Sequence, residues 1–508
     1  MKKFKNIVFG HPIMTYLSLI LLVIIISGIC SLFGVESTYK TISVTSGEYE
    51  KNIVAVNNMF SISGLKYIFS NTVSNFVSFA PLSNLLIILI GIGVMEKSGF
   101  LKTGFNLLTK GCKKYTVTFV LVLLSMIASI AGDISYVVFL PLAALLFLYG
   151  KRNPKLGIIA SFAGLACGTG LSIFLTSIDS SLLNNTIISA RILDPSYSLS
   201  SFGFFAIMTI GILLMSFIIT LITEKIIAEK LTKYESTEED VVITRKNLRG
   251  LIIGGLAGLI YLLFFVYNIL PGLPFSGKLL DDSQVLYIDK LFSYNSFFSN
   301  GFVFIVTMFF IILGLFYGLG AKTIKNNKDF CDCLGHSLDK IGAIIVLIFL
   351  SSVFISIFKQ TNLGIVITSA LTNVISKTSF SSIPLLILFF AFVVIISMFN
   401  TSSLMKWQIM SSSVVPVFMN AGISPAFVQV IFRFGESVSI CSTPLFAYFV
   451  IYLALLRTYN SSDKKIGIFE SVKYMMPYAI ISFIALLLLL VIWYIIGLPL
   501  GIGTSVGI

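Results

Sequence analysis

Apolar residues along this chain fall in long unbroken runs separated by short basic loops, with little of the three-four or alternating spacing of a water-facing fold. A helix needs about 20 apolar residues to cross the hydrocarbon core of a bilayer. Runs of that kind lie at residues 12–34, 78–96, 115–132, 201–222, 250–270, 301–320, 341–358, 382–399 and 474–497. Stretches 134–149, 156–178, 362–376, 402–420 and 438–456 are shorter or interrupted. Broken helices survive at membrane depth only where they are buried in protein or line a watery cavity, and transporters build binding sites from such pieces. The pattern predicts an all-α polytopic membrane protein. Three loops are longer: 36–74 and 271–300, both expected outside and able to hold short amphipathic or re-entrant elements, and 223–249, a mixed-charge cytoplasmic linker. That linker is expected to be partly helical and separates halves at about 1–222 and 250–508. With no room for a soluble domain between the runs, residues 1–508 read as a single integral membrane domain.

Composition agrees. Hydrophobic residues make up 56% of the 508 positions and charged residues 11%, where a soluble chain carries roughly a quarter charged; mean hydropathy is +0.99. The net charge of +13 raises the prospect of a nucleic-acid partner, but its distribution argues against one. Basic residues cluster between apolar runs: Lys2, Lys3 and Lys5; Lys97 to Lys114; Lys151, Arg152 and Lys155; Lys225 to Arg249; Lys322, Lys325 and Lys328; Arg457, Lys464 and Lys465. This is the positive-inside pattern of a bacterial inner-membrane protein with a cytoplasmic N-terminus. Segment 271–300, with Asp281, Asp282 and Asp289, is expected outside. The first apolar run is too long for a signal-peptide core and reads as a membrane helix. The six cysteines have neither the density nor the setting of a disulfide framework. Cys331 and Cys333 lie near His336, and a reduced cytoplasmic loop is preferred there over a metal site.

Two interrupted regions, 132–181 and 400–446, present the same features in the same order. Each has a polar cluster (Gly132 and Asp133, or Asn400 to Ser403), then an apolar stretch with one proline (Pro141 or Pro416), then a turn. A second helix follows and breaks at small residues (Cys167 to Gly170, or Gly435 to Ser437), before a final run bearing Asp179 or Pro444. Related motifs at matching places in two halves are what an inverted-repeat secondary transporter predicts.

Ionisable residues within membrane spans are costly and mark function; here they are Asp133, Asp179, Lys406, Arg433 and Glu436. Arg433 and Glu436 are three apart and share a helix face. They form either a structural ion pair or a site in which Arg433 grips an anionic substrate bidentately and Glu436 balances it. Asp133 is a helix cap or an ion site, and Asp179 suits a helix N-terminus. Asn400, Ser402 and Ser403 offer neutral oxygens for sodium, or for capping. Trp407 could stack on an aromatic substrate or anchor at the interface.

These residues are also where the chain resembles a known family, the AbgT family of p-aminobenzoyl-glutamate transporters. The resemblance runs through His11-Pro12, NFVSFAPLS (75–83), GIGVMEKSGF (91–100), DISYVVFLPLAALLF (133–147), TSIDSSLL (176–183), KWQIMSSSVVPVF (406–418), GISPAFVQ (422–429), RFGESVS (433–439), TPLFAYF (443–449) and GLPLG (497–501). It implies a homodimer whose subunits each carry nine transmembrane helices and two re-entrant hairpins, moving p-aminobenzoyl-glutamate or related folate catabolites by secondary active transport. In some members it implies export of sulfonamide-type antimetabolites. Carried over by motif, the substrate positions are Asp179, Trp407, Pro425, Arg433 and Glu436, with Asp133, Asn400, Ser402 and Ser403 as cation-coupling candidates. Three departures stand out: Glu436 replaces the family's usual aspartate, Ile173 an asparagine, and GDISY the more usual SDAGY. No cofactor is expected beyond a coupling Na+ or H+. A membrane-embedded enzyme is disfavoured, since the chain has no G-x-S-x-G, H-E-x-x-H or C-x-x-C motif and its histidines are His11 and His336.

Overall fold

The computed structural model describes residues 10–42, 49–173, 176–200, 202–231, 234, 243–339, 341–460 and 466–508. Lys2, Lys3, Lys5, Lys464, Lys465 and much of the 223–249 linker lie outside the described residues. The first half runs α1 (Pro12–Leu32), β1 (Glu36–Ile42), β2 (Tyr49–Ala55), α2 (Ile62–Val77), α3 (Ala80–Ser98), α4 (Phe100–Thr109), α5 (Lys114–Ala128), α6 (Ile134–Tyr149), α7 (Pro154–Gly168), α8 (Ser177–Ala190) and α9 (Phe205–Ile222). The second half runs α10 (Arg245–Ile269), α11 (Phe297–Ala321), α12 (Asn327–Gly335), α13 (Gly342–Gln360), α14 (Leu363–Ser376), α15 (Ser382–Phe399), α16 (Ser403–Asn420), α17 (Pro425–Ser439), α18 (Phe449–Thr458) and α19 (Ile468–Ile496).

Among the described residues, nine helical stretches are long and apolar enough to cross a membrane: α1, α2 running into α3, α5, α9, α10, α11, α13, α15 and α19. All but one coincide, to within several residues, with an apolar run in the sequence; the exception is α2, which begins at Ile62, well before the run at 78–96 and inside the stretch expected to be a loop. Helix–helix contact in lipid needs small residues, because tails are as apolar as leucine. The buried residues of α10 are Gly250, Gly254 and Gly258, one per turn on a single face, and that face packs on α11. The linker is helical where it is described at its two ends, with a π turn at Thr223–Ile227 extending α9 and α10 beginning at Arg245.

The interrupted stretches become shorter helices joined in pairs. α6 has 16 residues, and α7 and α17 have 15 each; at 1.5 Å per residue the latter two are about 22 Å long, too short to span about 30 Å of hydrocarbon. α7 and α17 are built alike. Each has a proline in its first turn, where the lost N–H is not needed. Each also has a capping side chain: Asn153 accepts from the Lys155 N–H and Ser424 from the Phe427 N–H. Every residue of both helices is buried.

Two expectations are corrected. Loop 36–74 contains an antiparallel hairpin, β1 paired with β2 from Glu36 opposite Ala55 to Ile42 opposite Tyr49, and not only helical elements. Its backbone edge is covered: the Thr38 carbonyl accepts from Ser369 at 2.9 Å and Asn373 at 2.7 Å, and the Lys40 carbonyl from Ser412 at 2.6 Å. The second broken helix does not yield at Gly435 to Ser437. α17 continues to Ser439, and the interruption lies between it and α18.

Candidate functional site

The fully buried α17 lies against α7, α8, α15, α16 and α19, and these elements bring a set of charges together. Arg433 and Glu436, one turn apart, pair Nη1 to Oε2 at 2.9 Å. Arg433 Nε meets Asp179 Oδ1, from α8, at 3.0 Å, and its Nη2 donates to the Thr169 carbonyl at the end of α7 at 2.5 Å. Lys406 of α16 places Nζ 2.7 Å from Glu436 Oε1 and donates to Ser397 Oγ of α15 at 2.6 Å. Ser403 adds a hydrogen bond to Glu436. Two cations and two anions thus close into a neutral knot whose side chains are 0 to 11% exposed. Single charges so placed would be prohibitively costly; paired and hydrogen-bonded they are tolerated.

Asp179 sits in the first turn of α8, the helix N-terminus expected of it, and also pairs with Arg433. Its second oxygen accepts from the Thr176 N–H and hydroxyl at 3.2 and 2.7 Å, completing a capping box at the start of α8, while the first oxygen pairs with Arg433. The backbone between α7 and α8 reaches the knot through Gly170. A Cβ there would fall 2.1 Å from the Arg433 carbonyl oxygen and 2.3 Å from Ser437 Oγ, so only glycine permits the approach. Ile173, the departure from the family asparagine, is half-buried in this same segment.

Trp407 is fully buried. Its indole N–H donates to Thr186 Oγ1 at 3.0 Å, and Thr186 lies 2.6 Å from Gln429 Oε1. Its ring rests on Phe432, centroids 4.6 Å apart, the same ring over which the Lys406 ammonium lies at 5.6 Å, so the indole is an interior packing group, not an interfacial anchor. Pro425 lies eight residues before Arg433, about 12 Å away along the helix axis. There it opens α17, and next to it Ser424 bonds the C-terminal segment, its Oγ donating to the Ser505 carbonyl at 2.7 Å.

The cation-coupling candidates separate. Ser403 joins the knot. Ser402 caps α16 through the Met405 N–H, and Asn400 accepts from the Ser402 N–H at 3.3 Å and donates to Thr368 at 3.3 Å. Asn400 and Ser402 line a second feature, a cavity of about 210 Å³ with Lys359, Asn362, Thr401, Phe358 and Phe399 on its walls. Asp133 is exposed at the start of α6 and makes no capping hydrogen bond, which removes the capping reading; it lies within electrostatic range of Lys359. Lys359, Thr169, Thr186 and Gln429 were not singled out from sequence. Lys359 falls one residue past an apolar run and reads as an ordinary flank, and the others are neutral groups that gain meaning only from their neighbours.

The chain matches the family described as "AbgT putative transporter family" over residues 4–508. It is 27% identical over 495 residues to the p-aminobenzoyl-glutamate transport protein of Escherichia coli, covering 97% of this chain and 94% of that one. Among solved structures, the YdaH transporter of Alcanivorax borkumensis, described as having an unusual topology, is 25% identical over 97% of this chain and 100% of its own, with a TM-score of 0.49. MtrF of Neisseria gonorrhoeae, described with a class of antimetabolite efflux pumps, is 26% identical over 97% of each chain, with a TM-score of 0.48. With a match along nearly its whole length and a membrane-spanning helical fold, the chain belongs to the AbgT family of transporters.

Proposed function

We propose that the protein carries an aromatic dicarboxylate of the p-aminobenzoyl-glutamate class across a bacterial inner membrane, driven by a proton or sodium gradient. The name of the E. coli relative supports the substrate class. The observation that carries the mechanism is the state of Arg433, whose three nitrogens are all engaged, by Asp179, Glu436 and the Thr169 carbonyl. A guanidinium is the natural grip for a carboxylate, and here a substrate carboxylate reaches it only by exchange. Asp179 is the exchangeable partner: it is 11% exposed where Glu436 is 0%, and Glu436 is clamped a second time by Lys406. Seating one of the substrate's carboxylates on Arg433 then leaves one negative charge too many at the knot, in a low-dielectric site. Protonating Asp179, or seating sodium beside it, restores neutrality, so anion and cation enter together.

Lys359, with Asn362 and Asn400, makes the 210 Å³ cavity attractive to an anion on its way in. An ammonium on its wall disfavours a sodium site at Asn400 and Ser402. In the same reading α6–α7 and α16–α17 are the two re-entrant hairpins of an inverted repeat, which their parallel construction supports. The N-terminus is cytoplasmic, residues 1–508 form one integral domain, and the transporter is a homodimer.

Flux into proteoliposomes under separately imposed proton and sodium gradients tests this. Wild type concentrates p-aminobenzoyl-glutamate under one of them. Asp179→Asn keeps substrate exchange but loses concentrative uptake; uptake still driven by the gradient in that variant removes Asp179 from coupling. Flux of a sulfonamide with none of p-aminobenzoyl-glutamate would replace the substrate assignment by antimetabolite export.

A further inference from the structure

Away from the charge knot, three helix ends enclose a cavity of about 320 Å³. Its walls are His11 and Ile13 at the start of α1, Ala343, Ile344, Val346 and Leu347 at the start of α13, and Ala454, Arg457 and Thr458 at the end of α18. Most of these are apolar. Arg457 supplies the charge: Nη2 lies 3.3 Å from His11 Nε2, while Nη1 is buried without a hydrogen-bond partner among the described residues. A buried guanidinium nitrogen left unpaired is costly, and its presence beside an open cavity points to a missing acceptor.

The surroundings say what kind. Val346 on the wall is 44% exposed, and Met14 and Leu17 on the neighbouring face of α1 are 40% and 41% exposed. The cavity therefore opens onto the apolar surface that meets lipid tails, at the level where membrane helices end. A ligand here needs an anionic head for Arg457 and apolar chains to lie along α1 and α13. Guanidinium takes phosphate oxygens in a two-pronged fork, and basic pockets between membrane helices hold anionic headgroups.

We infer that the cavity between α1, α13 and α18 is a binding site for the phosphate group of an anionic phospholipid, gripped by Arg457. The inference is independent of the transport site. It is tested on the full chain, purified in a neutral detergent, stripped of lipid and re-equilibrated with an equimolar mixture of phosphatidylglycerol and phosphatidylcholine, by counting each lipid retained by native mass spectrometry. Wild type retains phosphatidylglycerol. Arg457→Gln should weaken retention about tenfold, the loss expected for a charge-assisted hydrogen bond. Val346→Trp should do the same by filling the cavity while leaving Arg457 in place, and Lys246→Gln, on α10, should change nothing. Inorganic phosphate is the second probe: competition with the lipid identifies the phosphate as the group recognised, and binding of phosphate without lipid retention assigns the same pocket to a soluble anion. Equal retention of phosphatidylcholine, or undiminished phosphatidylglycerol in both Arg457→Gln and Val346→Trp, overturns the proposal.

Discussion

The knot at Arg433 and the cavity at Lys359 share a border, since Ser403 bonds Glu436 while its neighbour Ser402 lines the cavity. They handle charge in opposite ways. At Arg433 each ion has a partner of the other sign within 3.0 Å and the side chains are almost without solvent contact. Lys359 is exposed and forms no salt bridge among the described residues; Asp133 meets it only at longer range. A closed knot stabilises the fold and admits a ligand only by giving something up, whereas an open ammonium attracts an anion without rearrangement and contributes little to stability. On the proposed mechanism the open ammonium serves capture, and the closed knot serves a commitment step coupled to an ion.

The largest effects are expected at the knot. Arg433→Ala leaves two buried carboxylates facing the single ammonium of Lys406, and losing one member of a buried pair costs about 3–5 kcal/mol. Transport should vanish and the thermal unfolding midpoint should fall. Arg433→Lys restores the charge without the fork and should recover little flux. Wild-type flux in that variant would make Arg433 a charge-balancing residue and no substrate ligand. Somewhat smaller losses test how the two helix pairs meet. A Cβ on Gly170 collides with backbone at 2.1 Å, whereas one on Gly435 meets the Val393 side chain at 2.7 Å. Gly170→Ala should therefore separate α7 from α17 and abolish transport. Gly435→Ala, which α15 can relieve by a small shift, should cost about 1–3 kcal/mol. Matching losses of stability and flux in the two variants would show that the Gly170 approach has no special role.

The two regions also differ in how much the sequence discloses. Spanning helices were legible because twenty apolar residues in a row have one stable outcome in lipid. Asp179, Arg433 and Glu436 were legible because charge inside such runs is rare. What could not be read was which charges meet: Asp179 and Arg433 are distant in sequence, and their contact depends on Gly170, whose lack of a side chain matters only once α7 and α17 are adjacent. Lys359 was hidden for the opposite reason, since a lysine one residue beyond an apolar run looks like any interfacial flank. The β1–β2 hairpin had a signal in the β-branched and aromatic residues of ESTYKTI and YEKNIVA, but short strands in an otherwise helical chain are easily passed over.

Lys359→Gln separates capture from commitment. The unfolding midpoint should stay within a degree or so of wild type, because no close ion pair is broken. The KM for an anionic substrate should rise several-fold with the maximal rate unchanged, and the salt sensitivity of the uptake rate should fall, as for any loss of electrostatic attraction. A loss of stability resembling that of Arg433→Ala would mean that the cavity is a second structural knot, and the contrast between the regions would collapse.

Trp407 stands at the edge of the knot and gives the smallest and most discriminating effect. Its indole N–H bonds Thr186 and its ring lies on Phe432, so in this conformation it packs against protein. For a benzoyl ring to stack on it, Phe432 has to move aside, and the exchange trades one aromatic contact for another of about 1 kcal/mol. Trp407→Phe keeps a ring but loses the hydrogen bond to Thr186, a net cost of about 1 kcal/mol. If the indole is a platform, affinity for p-aminobenzoyl-glutamate should fall modestly while affinity for free glutamate, already poor, hardly changes. Ligand-dependent quenching should vanish in Trp407→Phe and persist in Trp493→Phe, since these are the two tryptophans of the chain. If the indole only packs beneath Phe432, both ligands should lose equally and quenching should be weak in wild type. That outcome would leave Arg433 as the ligand-binding group and withdraw the aromatic half of the substrate assignment.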